Sequence, residues 1–264
     1  MRYIADHDFH IHSTVSSCCH DAAQTPETIL KYAKKNGYSK VCLTNHFWDE
    51  NVSSEAEWIE EHNYSRVSSV LPLLQDDQVA FLFGCETDMD FNNVLGVSRE
   101  RFDCFDFIIV STTHLHLSGH TVRNEITSPA QAAFHWTDKL ENLLCKDIPF
   151  HKIGIAHLTT GHILKSRTTE ALSLIPDATM YDLFKECARK GAGIELNVKT
   201  INMNEAEKEI LLRPYFIAKE CSCKFYLGSD AHKTSALDGA KENFEDVIDK
   251  LNLQESDKFL LPTK

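Results

Sequence analysis

The chain lacks the segments that would place it in or across a membrane. Its 264 residues contain no apolar run of about 18 residues, the length that a membrane-spanning helix needs. The opening residues MRYIADHDFH show no basic stretch followed by an apolar one, so we expect no secretory signal. The nine cysteines are odd in number and scattered, which favours reduced thiols over a disulfide framework. Together these features predict a cytoplasmic protein with no membrane partner.

Basic residues are also scarce. The chain has 27 Lys and Arg against 39 Asp and Glu, for a formal net charge of −12. A nucleic-acid groove needs clustered positive charge, so the composition argues against that partner. It does not exclude an anionic substrate, because bound divalent cations reverse the local potential of a site whatever charge the outer surface carries.

Seven short apolar runs are present, and each stops at a polar or metal-binding residue. Of the 264 residues, 14 are His and 39 are Asp or Glu, so these types fill about one position in five. Six of the seven runs nevertheless stop at one of them, which is far more often than chance would give. Histidines with a few carboxylates are typical ligands of a metal cluster. The runs are residues 3–9 before His10 and His12, 40–45 before His46, 79–85 before Glu86, 106–113 before His114, 152–156 before His157, 192–196 before Asn197, and 225–229 before Asp230 and His232.

Segments with helical periodicity separate these runs. They cover residues 26–35, 53–74, 128–144, 178–190, 204–222 and 237–251. The first has Thr25 as N-cap, Pro26 at its first position and Gly37 after its end. Alternating strands and helices predict an α/β fold with a parallel sheet and right-handed crossovers. Seven units in one domain, residues 1–264, favour a barrel related to the TIM barrel, with an open doubly wound sheet as the alternative.

In such a barrel the residues that end the strands meet at one mouth. His10 and His12 are two positions apart on a strand, so their side chains point to the same face. Asp230 and His232 repeat this spacing on the last strand, which adjoins the first in a closed barrel. His7 has the opposite parity and is expected to face away from the mouth.

The ordered motifs resemble those of the PHP (polymerase and histidinol phosphatase) family. They are HDFHIHSTVSSCCHD, CLTNH, GCETD, STTH, GIAH, IELN and GSDAH, and they extend over residues 8–232. The resemblance implies a distorted TIM-like (β/α)7 barrel with two or three divalent metal ions at its C-terminal mouth. It also implies phosphoesterase activity.

The resemblance further implies a ligand set. His10, His12, Glu86 and Asp230 would hold one metal, Glu86 would bridge to a second held by His114 and His157, and His20, His46 and His232 would hold a third. Asp21 is an alternative to His20 as the loop ligand, and Cys18 and Cys19 are candidate neighbours of that loop. Zinc suits this His-rich set best, with manganese and iron as alternatives. Glu86, Asp230 and His232 are the expected catalytic residues.

Other residues are candidates for substrate contacts or for supporting the ligands. Asp8 is expected to orient a ligand imidazole. Asn197, His116 and His162 follow the strand ends closely enough to reach the mouth. Lys199 and Lys233 lie in loops where a positive charge could hold a phosphate.

The predicted reaction is hydrolysis of a small phosphate monoester by metal-activated hydroxide, and histidinol phosphate is a candidate substrate. Three alternatives stay open: a PHP-type exonuclease or phosphodiesterase, a protein-tyrosine phosphatase, and a catalytically silent metal-binding module.

Overall fold

A single parallel sheet of seven strands organises the computed structural model, which describes residues 1–201 and 203–261. Each strand pairs with the next one along the chain, so sequence order and spatial order are the same. This order confirms the predicted (β/α)7 barrel. The strands are β1 (His7–Ile11), β2 (Lys40–His46), β3 (Ala80–Asp88), β4 (Phe107–Ser111), β5 (Ile153–Ala156), β6 (Gly193–Leu196) and β7 (Lys224–Leu227).

Helices lie between the strands and pack on the outside of the sheet. The α-helices are α1 (Pro26–Asn36), α2 (Tyr64–Val67), α3 (Pro129–Leu144), α4 (Thr168–Ser173), α5 (Asp177–Lys190), α6 (Glu205–Glu220), α7 (Thr234–Leu237) and α8 (Ala240–Lys250). Short 3-10 helices span Glu57–His62, Ser68–Val70, Arg99–Cys104, Phe150–Lys152, Lys165–Arg167 and Glu255–Asp257.

The first and last strands come together at the mouth. The backbone N–H of Asp230 donates to the His10 carbonyl at 2.8 Å, and that of His12 donates to the Ala231 carbonyl at 3.1 Å. These bonds nearly close the barrel and rule out the open sheet. They also bring the two motifs at opposite ends of the sequence into direct contact.

A bulge in β1 sets which of its side chains face inward. Asp8 pairs with Val41 and Ile11 with Leu43, so three steps on β1 match two on β2. One additional residue of this kind shifts the alternation of side chains. Phe9 therefore packs inside the barrel on Phe107, with ring centroids 5.7 Å apart, although it has the opposite parity to the inward-facing His10.

His7 takes part in this inner packing instead of facing outward. Its ring is buried, and its centroid lies 4.3 Å from that of Phe9. Its Nε2 atom accepts a hydrogen bond from the Leu227 backbone N–H at 3.1 Å. His7 belongs to none of the ligand groups found at the mouth, and its inward direction follows from the bulge between it and His10.

The helix over residues 26–35 is confirmed. Thr25 accepts a hydrogen bond from the Thr28 N–H, and Gly37 ends α1 in the left-handed conformation with φ 70°. The left-handed conformation is one that glycine adopts without steric cost.

The prediction of a continuous helix over residues 53–74 is wrong. A 3-10 helix ends at His62, Asn63 has extended backbone angles, and its side chain caps the short helix α2 by accepting from the Arg66 N–H. Asparagine competes for backbone hydrogen bonds in this way and so interrupts a helix. Trp58, which lies within this segment, is 48% exposed.

No helix among the described residues is both long and apolar enough to cross a membrane. The nine cysteines all lie in the described ranges and all are free thiols, as the sequence predicts.

Large rings in the barrel interior pack closely against glycines. A Cβ atom added at Gly154 would lie 2.6 Å from the Tyr226 hydroxyl oxygen and would also clash with the Phe107 ring. We predict that Gly154→Ala lowers the free energy of unfolding by about 1–3 kcal/mol, measured by urea denaturation, because overpacking strains a dense core. At Gly161 the nearest atom would be 3.8 Å away, so Gly161→Ala is the matched control. Equal stability of both variants would contradict this account of the interior.

Candidate metal centre

The carboxylate of Glu86 lies at the centre of the mouth, at the C-terminal end of the sheet. Strand β3 carries it there, and it is only 1% exposed. Its Oε2 atom lies 3.5 Å from His10 Nε2 and 3.3 Å from His12 Nε2. Its Oε1 atom lies 2.9 Å from His157 Nε2 and 3.7 Å from His114 Nε2. One carboxylate therefore faces two separate sets of imidazoles.

Candidate ligand atoms form compact groups around this carboxylate, with the atoms of each group within 4.8 Å of one another. The groups are His10, His12, Glu86 and Asp230; Glu86, His114 and His157; His12, Cys18, His46 and His232; and His10, His157 and Glu195. The structure thus brings together eight of the nine predicted ligands.

The ninth, His20, is exposed and belongs to none of the groups found among the described residues. Its alternative, Asp21, has another partner: its Oδ2 atom accepts from the Thr234 N–H at 2.8 Å and from the Thr234 hydroxyl at 2.7 Å. The β1–α1 loop instead turns the Cys18 side chain toward His46. The spacing of His residues did not reveal this, because the loop conformation decides which side chain faces inward.

Two candidate ligands have an uncommon backbone conformation. His157 and Asp230 follow β5 and β7 with φ angles of 42° and 53°, in the left-handed region. Non-glycine residues occupy this region rarely and often at functional sites. The His157 N–H donates to Glu195 Oε2 at 2.9 Å and the Asp230 N–H to the His10 carbonyl, so hydrogen bonds hold both residues in place.

Hydrogen bonds at Nδ1 fix the orientation of four rings. In each case the acceptor is an oxygen, so the ring Nδ1–H donates and the Nε2 lone pair is left free for a metal. The acceptors are Glu195 Oε1 for His10 at 2.6 Å, Ser16 Oγ for His12 at 3.0 Å, Asp88 Oδ1 for His114 at 2.9 Å and the Asp230 carbonyl for His232 at 3.0 Å.

This arrangement fits divalent cations. The Nε2 atoms of His10 and His12 lie 3.1 Å apart, so two lone pairs converge on one point. Within the described residues, Glu86 Oε2 and both ring nitrogens of His157 are buried and make no hydrogen bond of acceptable geometry, although His157 Nε2 lies 2.9 Å from Glu86 Oε1. Buried polar atoms without a hydrogen bond are costly, and cations bound to Glu86 Oε2 and to one nitrogen of His157 would lower that cost.

Electrostatics within the cluster agree with this. Burial opposes ionisation of Glu86, but His46 and His10 hold the pKa of its carboxyl well below the ordinary value. Asp230 is likewise held ionised because His10 lowers the pKa of its carboxyl against the effect of burial. Burial lowers the pKa of His10, and the charges of Glu195, Glu86 and Asp230 outweigh it and raise that pKa well above normal. The carboxylates are therefore ionised and attract positive charge.

Asp8 supports the backbone and not an imidazole ring. Its Oδ1 atom accepts from the N–H groups of His10 at 3.2 Å and Ser229 at 3.0 Å, and its Oδ2 atom accepts from the Tyr32 hydroxyl at 2.9 Å. Burial raises the pKa of Asp8 to about 6. Its contacts tie β1 to the segment after β7.

Sequence reasoning missed Glu195 and Asp88. Glu195 is fully buried and contacts His10, His157 and the side-chain amide of Asn197, whose Nδ2 lies 3.3 Å from Glu195 Oε2. For Glu195 the sequence did contain a signal, since it is a charged residue between the apolar Ile194 and Leu196. A charged side chain is buried only where it has partners, so this position indicates contacts inside the protein.

Two cavities flank the cluster, and Asp230 and His162 line both. One has a volume of about 420 Å³ and includes Lys165, Asn197 and Lys199 in its wall.

The second cavity beside the cluster has a volume of about 330 Å³ and includes His116, whose ring centroid lies 4.8 Å from that of His162. Burial lowers the pKa of His116 to about 4 and that of His162 to about 3, so both rings are neutral. Of the predicted cationic residues, Lys233 is exposed and lines neither of these two cavities.

We predict that Glu195→Gln weakens metal binding by about 10- to 100-fold, since the partner of a ligand imidazole sets its orientation and basicity. Competition with a chromogenic chelator measures the affinity. Glu170→Gln is the control, because Glu170 pairs with Arg167 on the exposed surface. Unchanged affinity in Glu195→Gln would show that the His10 orientation does not depend on this carboxylate.

The chain is similar to a known family in sequence and to a solved structure in fold. A family model described as PHP domain matches residues 8–252. The crystal structure of histidinol phosphate phosphatase from Lactococcus lactis subsp. lactis Il1403, complexed with zinc, L-histidinol and phosphate, has a TM-score of 0.54 at 15% identity and covers 94% of each chain. The structure of an uncharacterised protein has a TM-score of 0.42 at 13% identity, covering 95% of this chain and 70% of that one. No curated protein matches the chain.

Proposed function

The chain belongs to the PHP domain family, and from that premise we propose that it is a metal-dependent phosphoesterase that hydrolyses small phosphate monoesters. The observation that carries this proposal is the position of Glu86, whose two oxygens face different imidazole sets. A carboxylate placed in this way can join two cations, as in metal centres that cleave phosphate esters.

The residues that would hold the cations are those already described. His10, His12, Glu86 and Asp230 would hold one, Glu86, His114 and His157 a second, and His46 and His232 would take part in a third. When bound, such ions supply Lewis acidity that activates water and neutralises the charge of the phosphate. The imidazole-rich set suits zinc, with manganese and iron as the alternatives.

The side chains of the larger cavity would bind the rest of the substrate. Lys165 and Lys199 offer positive charge beside Asp230, while Met203 and Leu211 provide apolar surface. Glu207 lines the same cavity and could accept hydrogen bonds from an ammonium group. A volume of about 420 Å³ accommodates a small molecule.

Histidinol phosphate is the first substrate to test. It combines a phosphate monoester with an ammonium group, which matches the metal cluster and Glu207. The protein of similar fold from Lactococcus lactis is a histidinol phosphate phosphatase, but at 15% identity the likeness concerns the fold and leaves the substrate as a proposal.

We expect Glu86→Gln to lower kcat/KM for phosphate monoesters by about 100- to 1000-fold, because it removes the shared negative ligand that positions both cations. The measurement is phosphate release from a panel that includes histidinol phosphate, a phosphotyrosine peptide and a phosphodiester. Glu170→Gln controls for the loss of a carboxylate elsewhere. Preference for the diester or the peptide would favour the phosphodiesterase or the protein-tyrosine phosphatase instead. Metal binding without turnover of any substrate would favour the silent module.

Lys199→Ala and Lys165→Ala should each raise KM about fivefold and change kcat less, since a partly exposed ion pair contributes about 1 kcal/mol to binding. Lys233→Ala is the matched control, because Lys233 is an exposed lysine close to Asp230 in sequence that lines neither cavity beside the cluster. Steady-state kinetics with the best monoester measures both parameters. A KM that rises only in Lys233→Ala would place the substrate on the other side of the mouth.

A further inference from the structure

We propose that the thiolate of Cys18 is a ligand of the metal site that contains His46 and His232. The inference rests on the proposed metal centre and adds a sulfur ligand that the predicted set of imidazoles and carboxylates lacks. The sulfur ligand makes this site distinct in chemistry from the other two, whose ligands are imidazoles and carboxylates.

The geometry places Cys18 at the position of a ligand. Its sulfur lies within 4.8 Å of the ligand nitrogens of His12, His46 and His232, which also lie within that distance of one another. A zinc ion binds a His nitrogen at about 2.1 Å and a Cys sulfur at about 2.3 Å, so these two ligand atoms of one ion lie no more than about 4.4 Å apart. The His12 and His232 rings stack with centroids 3.8 Å apart, and the His46 centroid lies 4.6 Å from that of His12.

A second observation at the same place also indicates a cation. Glu86 Oε2 is buried and lies 3.0 Å from His46 Nδ1, yet in the described part of the chain it has no hydrogen bond of acceptable geometry. A buried charged oxygen in that condition is costly. A cation bound to His46 would lie beside this oxygen, and the Cys18 sulfur lies within 4.8 Å of the ligand nitrogen of His46.

His12 is best assigned to the first cation and not to this one. Its Nδ1 atom is bonded to Ser16 Oγ, which leaves only Nε2 for a metal, and Nε2 lies 3.2 Å from Asp230 Oδ1. Cys18, His46 and His232 then form a site with three protein ligands. Three ligands with an open position are typical of a zinc site that takes part in catalysis.

The loop that carries Cys18 is fixed at several points. Asn45 Oδ1 accepts from the Ser13 N–H at 2.8 Å and from the Ser16 hydroxyl at 3.0 Å. The neighbouring Cys19 donates its thiol hydrogen to the His232 carbonyl at 3.0 Å. The adjacent cysteines therefore have different roles: Cys19 ties the loop to the segment after β7, and Cys18 faces the cluster.

A thiolate at this position changes the charge and the selectivity of the centre. Three divalent ions against two carboxylates leave a net charge of about +4, and the thiolate lowers it to about +3. Soft sulfur ligands favour zinc over manganese or magnesium. We therefore expect this site to retain zinc in a medium where manganese is in excess.

The test uses the full chain reconstituted with cobalt(II), whose thiolate complexes absorb in the near ultraviolet through a sulfur-to-metal charge-transfer band. Wild type should show the band, and Cys18→Ser should lose it together with one ion per chain after dialysis. Cys18→His should bind the full complement of ions without the band. Cys145→Ser is the matched control, because Cys145 is another exposed thiol and lies at the end of α3, and it should keep the band.

The outcomes separate this inference from the function on which it rests. Wild-type protein that binds the ions and hydrolyses monoesters but shows no band would overturn the Cys18 ligand alone. A band that persists in Cys18→Ser would also overturn it. Protein that binds no ion under any condition would overturn the metal centre and this inference with it.

Discussion

The rest of this site depends on one constraint: the negative charge of the buried Glu86 carboxylate must be balanced by groups around it. Glu86 is almost wholly buried, and an ionised carboxylate in such a place is stable only with positive charge or strong donors around it. Histidines on or directly after β1 and β2 and in the segments after β4 and β5 point at its two oxygens. Closing the barrel is what allows four strands to converge on a single side chain.

Several irregular features serve this convergence. The β1 bulge turns both Phe9 and His10 inward, so the same strand fills the core and supplies a ligand. Left-handed backbone at His157 and Asp230 aims two side chains over the mouth from the ends of short strands. Such features cost conformational energy, and the hydrogen bonds to Glu195 and His10 hold them in place.

The same arrangement explains how an acidic protein could bind the proposed anionic substrate. The net charge of −12 is that of the whole chain, whereas the mouth collects many imidazoles and few carboxylates. Divalent ions there would make the local potential positive, and Lys165 and Lys199 add to it on the side of the larger cavity. The overall charge thus bears on solubility, whereas the local ligand set governs what the site attracts.

The sequence by itself determined the fold class and most of the candidate cluster. Apolar runs that stop at His, Glu or Asp mark buried parallel strands, and in a barrel the ends of such strands must meet at one mouth. This rule needs only periodicity and order, so it located Glu86 and the histidines that follow the strands without any coordinates. It failed where local conformation matters more than periodicity, as at residues 53–74, where Asn63 interrupts the helix.

Only the tertiary structure decided which supporting side chains reach the cluster. Glu195 and Asp88 lie on strands next to apolar residues, and nothing in the sequence pattern says which imidazole each one contacts. The exchange of His20 for Cys18 depends on how the β1–α1 loop is fixed by Asn45 and Cys19. Strands have a fixed repeat that a sequence reveals, whereas a loop takes its conformation from distant partners, and those partners are known only once the chain has folded.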